Sequence, residues 1–123
     1  MEYKSNLSLK REITDAIRMA AIMVTGAFQD KYRQPKFIEN AEEDSLYIRL
    51  TRMVDDGQMG AVEDCLWERL ERGDIEDFRL TFAIYSYMNE KEDDFLREHD
   101  FSREEIQDGV EYVLSRKRHI YSI

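Results

Sequence analysis

The fold turns on one stretch, Phe78-Arg79-Leu80-Thr81-Phe82-Ala83-Ile84-Tyr85-Ser86-Tyr87-Met88, in which Arg79 is the only charged residue. On a helical wheel its apolar side chains point in every direction. A helix that is apolar all round must be enclosed by neighbours. The pattern therefore predicts a central helix over about residues 75–89. A short aromatic run containing Ile84 is also compatible with a strand. Two observations favour helix. Asp74 and Asp77 place carboxylates at a helix start, where unpaired N–H groups and the dipole favour them. No second strand candidate lies nearby, and a lone strand is unstable.

Two glycine stops lie upstream. Leu46, Leu50 and Met53, flanked by Tyr47 and Val54, form a helical stripe that opens at an Asn40–Glu43 capping box and closes at Asp55-Asp56-Gly57. Met59, Val62, Leu66 and Leu70, with Trp67 beside them, form the next, closed by Arg72-Gly73. Short glycine turns of this kind fold consecutive helices back antiparallel. Further upstream, Leu9, Ile13, Ala16, Ile17, Ala20, Val24 and Ala27 make a first helix over about residues 8–27, widened by Met19 and Met23. Its breadth fits either packing on two neighbours or a dimer seam. Residues 29–40 hold Lys31, Arg33, Lys36 and the only proline, Pro35. They read as a basic connecting loop whose aromatics, Tyr32 and Phe37, tuck onto the core, or as a binder of an anion or partner.

Downstream, Phe95 and Leu96 anchor a short turn or helix ending near His99. In Phe101-Ser102-Arg103-Glu104-Glu105-Ile106, Ser102 and Glu105 make a reciprocal capping box and Phe101 with Ile106 a hydrophobic staple. Ile106, Val110, Val113 and Leu114 face inward, and Arg116-Lys117-Arg118 matches the dipole at the far end. The sum is an all-α fold: a compact bundle of five to six helices with short antiparallel links. It reads as a single helical domain over 1–123, with a helical body from about residue 41 to 118.

The chain has 123 residues, is 42% hydrophobic, and carries a net charge of −9. Charge is unevenly distributed: residues 1–38 hold seven Lys/Arg against four Asp/Glu, and residues 39–123 hold eleven against twenty-three. An acidic body repels phosphates, so no nucleic acid partner is expected. The longest apolar run, Met19 to Val24, is six residues, far below the roughly 20 of a membrane span. No basic region followed by an uninterrupted apolar run marks a signal peptide. With one cysteine, Cys65, no intrachain disulfide forms, and a reducing, cytoplasmic setting is expected.

Chemistry-bearing residues are sparse. His99 and His119 are preceded at three residues by Leu96 and Arg116, which excludes a Glu-x-x-His metal pair. One cysteine and this histidine spacing exclude a zinc pattern. No cofactor is implied: there is no phosphate-cradling glycine loop and no nucleophile elbow. His99, between Glu98 and Asp100, reads as a surface or capping histidine. Cys65 sits beside Asp64, whose charge opposes a thiolate. Glu63 falls between Leu70 and Trp67 on the apolar side of its helix. It needs a partner there, such as Arg79 or a tyrosine hydroxyl. The plain reading is a structural hydrogen bond or ion pair; the sharper one is a ligand-binding or proton-handling group. Tyr85, Tyr87, Trp67 and Phe95 are candidates to line a pocket with it, although an aromatic stripe at helical spacing is also ordinary core.

The motifs Asp56-Gly57-Gln58-Met59, Glu63-Asp64-x-Leu66-Trp67-Glu68, Tyr85-x-Tyr87-Met88-Asn89 and Asp94-Phe95-Leu96-x-x-His99-x-Phe101-Ser102-Arg103-Glu104-Glu105-Ile106 resemble a family of small, uncharacterised, all-helical bacterial proteins, a domain of unknown function. The resemblance covers roughly residues 54–114, and the N-terminal third adds nothing to it. It implies a compact helical fold and a dimer, and it brings no activity and no functional residues. Two functions follow. One is a non-catalytic domain that acts by protein–protein contact, through a homodimer or another protein. The other is a small-molecule binder or enzyme with a pocket near Glu63, Trp67 and Tyr85, His99 being a fourth binding candidate.

Overall fold

The computed structural model describes the backbone of residues 6–25 and 41–121 and the side chains of 7–20 and 45–116. The described residues form six helices and no strand: α1 (Asn6–Thr25), α2 (Ala41–Asp55), α3 (Met59–Leu70), α4 (Ile75–Asn89), α5 (Asp93–Glu98) and α6 (Arg103–Tyr121). The bundle expected from the hydrophobic patterns is the one observed.

Helix α4 is the central element. Phe78, Leu80, Thr81, Phe82, Ala83, Ile84, Tyr85 and Met88 are all buried, so every face of it is covered. Helices α1 and α6 pack on α4 and on each other, and α2 and α3 do the same. Thus α4 belongs to two three-helix groups, which explains its all-round apolar surface. Each fully buried phenylalanine contributes about 1.5–3 kcal/mol by leaving water. Leu9, Ile13, Ile17 and Ala20 of the α1 stripe are buried where α1 packs on α4 and α6. One expectation fails there: Met19 does not widen the buried stripe but is 60% exposed. At i+2 from Ile17 it projects away from the face that Leu9, Ile13, Ile17 and Ala20 bury.

Both glycine stops behave as read. Gly57 (φ 82°) and Gly73 (φ 74°) take the left-handed conformation, and Gln58 N–H to Met53 O (2.9 Å) with Gly57 N–H to Val54 O (2.8 Å) closes α2 as a Schellman motif. A third stop carries no glycine. After α5, Phe101 N–H reaches Leu96 O (2.9 Å) and Asp100 N–H reaches Arg97 O (3.2 Å), with Asp100 left-handed at φ 55°. The capping box of α6 forms in both directions: Ser102 N–H donates to Glu105 Oε2 (2.7 Å) and Glu105 N–H to Ser102 Oγ (3.1 Å).

The start of α4 differs from expectation. Asp74 is the N-cap residue but makes no side-chain cap bond. Asp77 is 2% exposed and accepts from Arg69 Nε (3.1 Å) and Arg72 Nη2 (3.1 Å), so it binds the end of α3 instead of merely facing the dipole. A second buried polar hub, absent from the sequence reading, joins the other end of α4 to its neighbours. Arg103, 4% exposed, donates to Asn89 O (2.6 Å), Asn89 Oδ1 (3.0 Å), Lys91 O (2.7 Å) and Asp93 Oδ1 (2.7 Å). Asn89 Nδ2 in turn donates to Lys10 O and Thr14 Oγ1 of α1, both at 3.1 Å. The Asn40–Glu43 box, the basic loop 29–40, Met23, Val24 and Ala27 of the first stripe, and the Lys117–Arg118 charges lie outside the described side chains.

Candidate functional site

The buried stripe of α3 sets the phase that exposes the site. With Met59, Val62, Leu66 and Leu70 turned inward, Glu63 and Trp67, four residues apart, fall on the border of the core. In α6, burial of Ile106, Val110 and Val113 puts Glu105, Asp108, Gly109 and Tyr112 on the border facing them. Helices α3 and α6 both rest on α4 and meet each other only through side chains such as Trp67 and Tyr112. The space left between them is an open cleft of about 340 Å³, lined by Glu63, Trp67, Glu105, Asp108, Gly109 and Tyr112.

Tyr85 of α4 is completely buried and ties the cleft together from below. Its hydroxyl donates to Glu63 Oε2 (2.6 Å) and accepts from Trp67 Nε1 (3.2 Å). Gly109 is what admits it: a Cβ there would lie 2.3 Å from the hydroxyl oxygen and 2.5 Å from Cζ. Tyr112 packs against Trp67 with ring centroids 5.2 Å apart and planes tilted by 53°. This is a favourable aromatic geometry.

The electrostatics follow from burial. Desolvation pushes the Glu63 carboxyl above the usual range despite the hydrogen bond from Tyr85, and the charges of Glu105 and Asp64 push it the same way. Tyr85 is held far above the ordinary tyrosine range, first by burial and then by the Glu63 charge beside it. Tyr85 is thus a permanent donor and not a base. The cleft presents carboxylates and aromatic faces with no nucleophile beside a general base among its lining residues. Such a set can hold a ligand.

Three of the four candidate residues therefore meet, and the partner of Glu63 is the tyrosine hydroxyl and not Arg79. The fourth, His99, lies elsewhere, exposed at the end of α5. It packs on Phe95 (4.6 Å between centroids) and over Gly57, where a Cβ would lie 2.2 Å from its Nδ1. Tyr87 and Phe95 do not join Tyr85 and Trp67 either. They flank Lys91, whose Nζ lies 4.9 and 5.0 Å from their ring centroids. Asp55 accepts from both Lys91 and Tyr87 there, and these hydrogen bonds hold its carboxyl below the usual range. That cluster fastens the α2–α3 turn to the end of α4. A second concavity, of about 390 Å³ between α5 and α6, is lined in part by Asp93, Phe101 and Arg103, but the Arg103 guanidinium is engaged in the hub described above. The α6 side of the first cleft was missed. Its signal was present in the spacing Glu105, Asp108, Tyr112 and in a glycine, Gly109, inside a helix.

A family model, that of a family of unknown function (DUF6483), matches residues 5–118. The chain belongs to this family. The DUF6483 match takes in α1 as well as residues 54–114, so the N-terminal helix is part of the shared unit. No curated protein and no solved structure matches the chain. Among the described residues, no helix is long and apolar enough to cross a membrane.

Proposed function

We propose that this DUF6483 chain is a non-catalytic domain that acts by binding another protein, with the α3–α6 cleft as its working surface. The observation that carries the reading is the Trp67–Tyr112 pair: Tyr112 is 45% exposed, and the pair stands above a hydrogen-bonded floor of Tyr85 and Glu63. Tryptophan and tyrosine anchor many protein interfaces, and a preformed floor lowers the ordering cost of association. A second copy of the chain is the first partner to test, because the basic residues 1–38 and the acidic remainder suit an electrostatically oriented contact. A cytoplasmic setting belongs to the same proposal and rests on the single Cys65.

Sedimentation velocity over the micromolar range tests self-association. The expected result is a dimer that weakens with added salt and with Tyr112→Ala. A sedimentation coefficient that stays at the monomer value across this range rules self-association out. A second reading is favoured by the cleft volume of about 340 Å³, which lies in the range of small-ligand sites. Here the protein would bind a small molecule against Glu63 and Trp67, and a dry or solidly packed cleft in a crystal structure would end that idea.

A further inference from the structure

The chemistry of the occupant follows from what the cleft walls still offer. Trp67 has one N–H donor, and it is already given to Tyr85. The Tyr85 proton is already given to Glu63. The walls that remain are the carboxylates of Glu63, Glu105 and Asp108, the two rings of Trp67 and Tyr112, and the Tyr112 hydroxyl. No lysine or arginine lines this cleft. It is therefore rich in acceptors and aromatic surface and poor in donors. An anion would be repelled. A bare metal ion is not suited, because among the described residues no three His, Cys, Asp or Glu side chains stand where they could hold one. The complementary group is a larger, donor-rich cation that stacks on a ring while its N–H groups reach carboxylates.

We propose that the cleft of Glu63, Trp67, Glu105, Asp108 and Tyr112 receives an arginine or lysine side chain carried by a partner polypeptide. This rests on the protein-binding role above and names the partner's chemistry. A guanidinium suits it best, being flat, able to stack, and rigidly forked toward carboxylates. The same two helices carry further exposed acids, Asp64 and Glu68 on α3 and Glu104 and Glu111 on α6. They extend the negative surface beyond the cleft, as a basic segment needs and a single small amine does not.

The protein contains one tryptophan, Trp67, so intrinsic fluorescence reports on the cleft directly. The full chain is titrated with a capped peptide bearing two arginines, with the same peptide bearing citrulline, and with free spermidine. The arginine peptide is expected to give a saturable change that weakens with salt. Asp108→Asn, an exposed substitution that leaves the floor intact, should weaken it roughly threefold, and Glu63→Gln by a similar factor. The citrulline peptide should give no change. Silence from the arginine peptide, or an equal response to the citrulline peptide, overturns the inference. Spermidine binding as tightly as the peptide overturns the polypeptide source and points to a small amine. If the peptide is silent while Tyr112→Ala still dissociates a dimer in the centrifuge, the inference fails and the protein-binding role stands.

Discussion

Gly109→Ala gives the most direct test of how the cleft is built. In an ordinary helix interior this exchange stabilises by about 1 kcal/mol. Here the new methyl would lie 2.3 Å from the Tyr85 hydroxyl, 2.5 Å from Cζ and 2.7 Å from Cε1. Those atoms cannot swing aside freely, because Tyr85 is fully buried and held by Glu63 and Trp67. Overpacking costs about 2 kcal/mol, and losing a hydrogen bond to a carboxylate about 2 kcal/mol more. Against about 1 kcal/mol of helix gain, the net loss is about 3 kcal/mol. Urea unfolding should show the midpoint falling by about 1.5 M with the slope unchanged, for a slope near 2 kcal/mol/M. Gly60→Ala is the matched control: it lies in α3 with nothing within 4 Å of its added Cβ, and it should be neutral or stabilising by up to about 1 kcal/mol. Tyr85→Phe should relieve Gly109→Ala only in part, since Cζ remains. A Gly109→Ala protein as stable as the parent would refute the close passage of Tyr85 beneath α6.

Three further outcomes are expected. Arg103→Lys keeps the charge but cannot reach Asn89, Lys91 and Asp93 together, so stability should drop by about 2–3 kcal/mol; hydrogen exchange at residues 89–93 should rise, and unchanged exchange there would contradict the hub. Asp77→Asn leaves shape intact and removes the charge facing Arg69 and Arg72; because both arginines are partly exposed, the expected loss in urea is about 1–2 kcal/mol, and no loss would mean the pair is inert. Glu63→Gln tests the raised carboxyl by pH. A carboxyl raised in the folded state binds more protons folded than unfolded, so the parent loses stability as pH rises from the ordinary glutamate value through the raised one. The variant, whose amide can still accept from Tyr85, should lack that fall, and parallel stability curves across the acid range would count against the shift.

Local chemistry was legible in the chain because its causes are local. Gly57 and Gly73 adopt the left-handed turn that only the residue type has to permit. Ser102 and Glu105 find each other because they are three residues apart on one helix. The enclosure of α4 was legible as well, since a wheel with no polar side leaves the helix nowhere to go but inside. Even the need of Glu63 for a partner could be read from its place on the apolar side of α3.

What periodicity does not carry is which helices become neighbours, and the site depends on that. Tyr85 reaches Glu63 across 22 residues and Asn89 reaches Thr14 across 75. Nothing in either segment alone names its counterpart. The same holds for the separation of Tyr85 from Tyr87, two residues apart yet serving the cleft in one case and Lys91 in the other. A helix turns about 100° per residue, so such neighbours point to different partners, and only the packed arrangement of α3 and α6 on α4 decides which. The order of turns and stripes established a bundle of five to six helices; their mutual placement on α4 created an acidic, aromatic cleft, because a gap between two helices exists only once a third holds both.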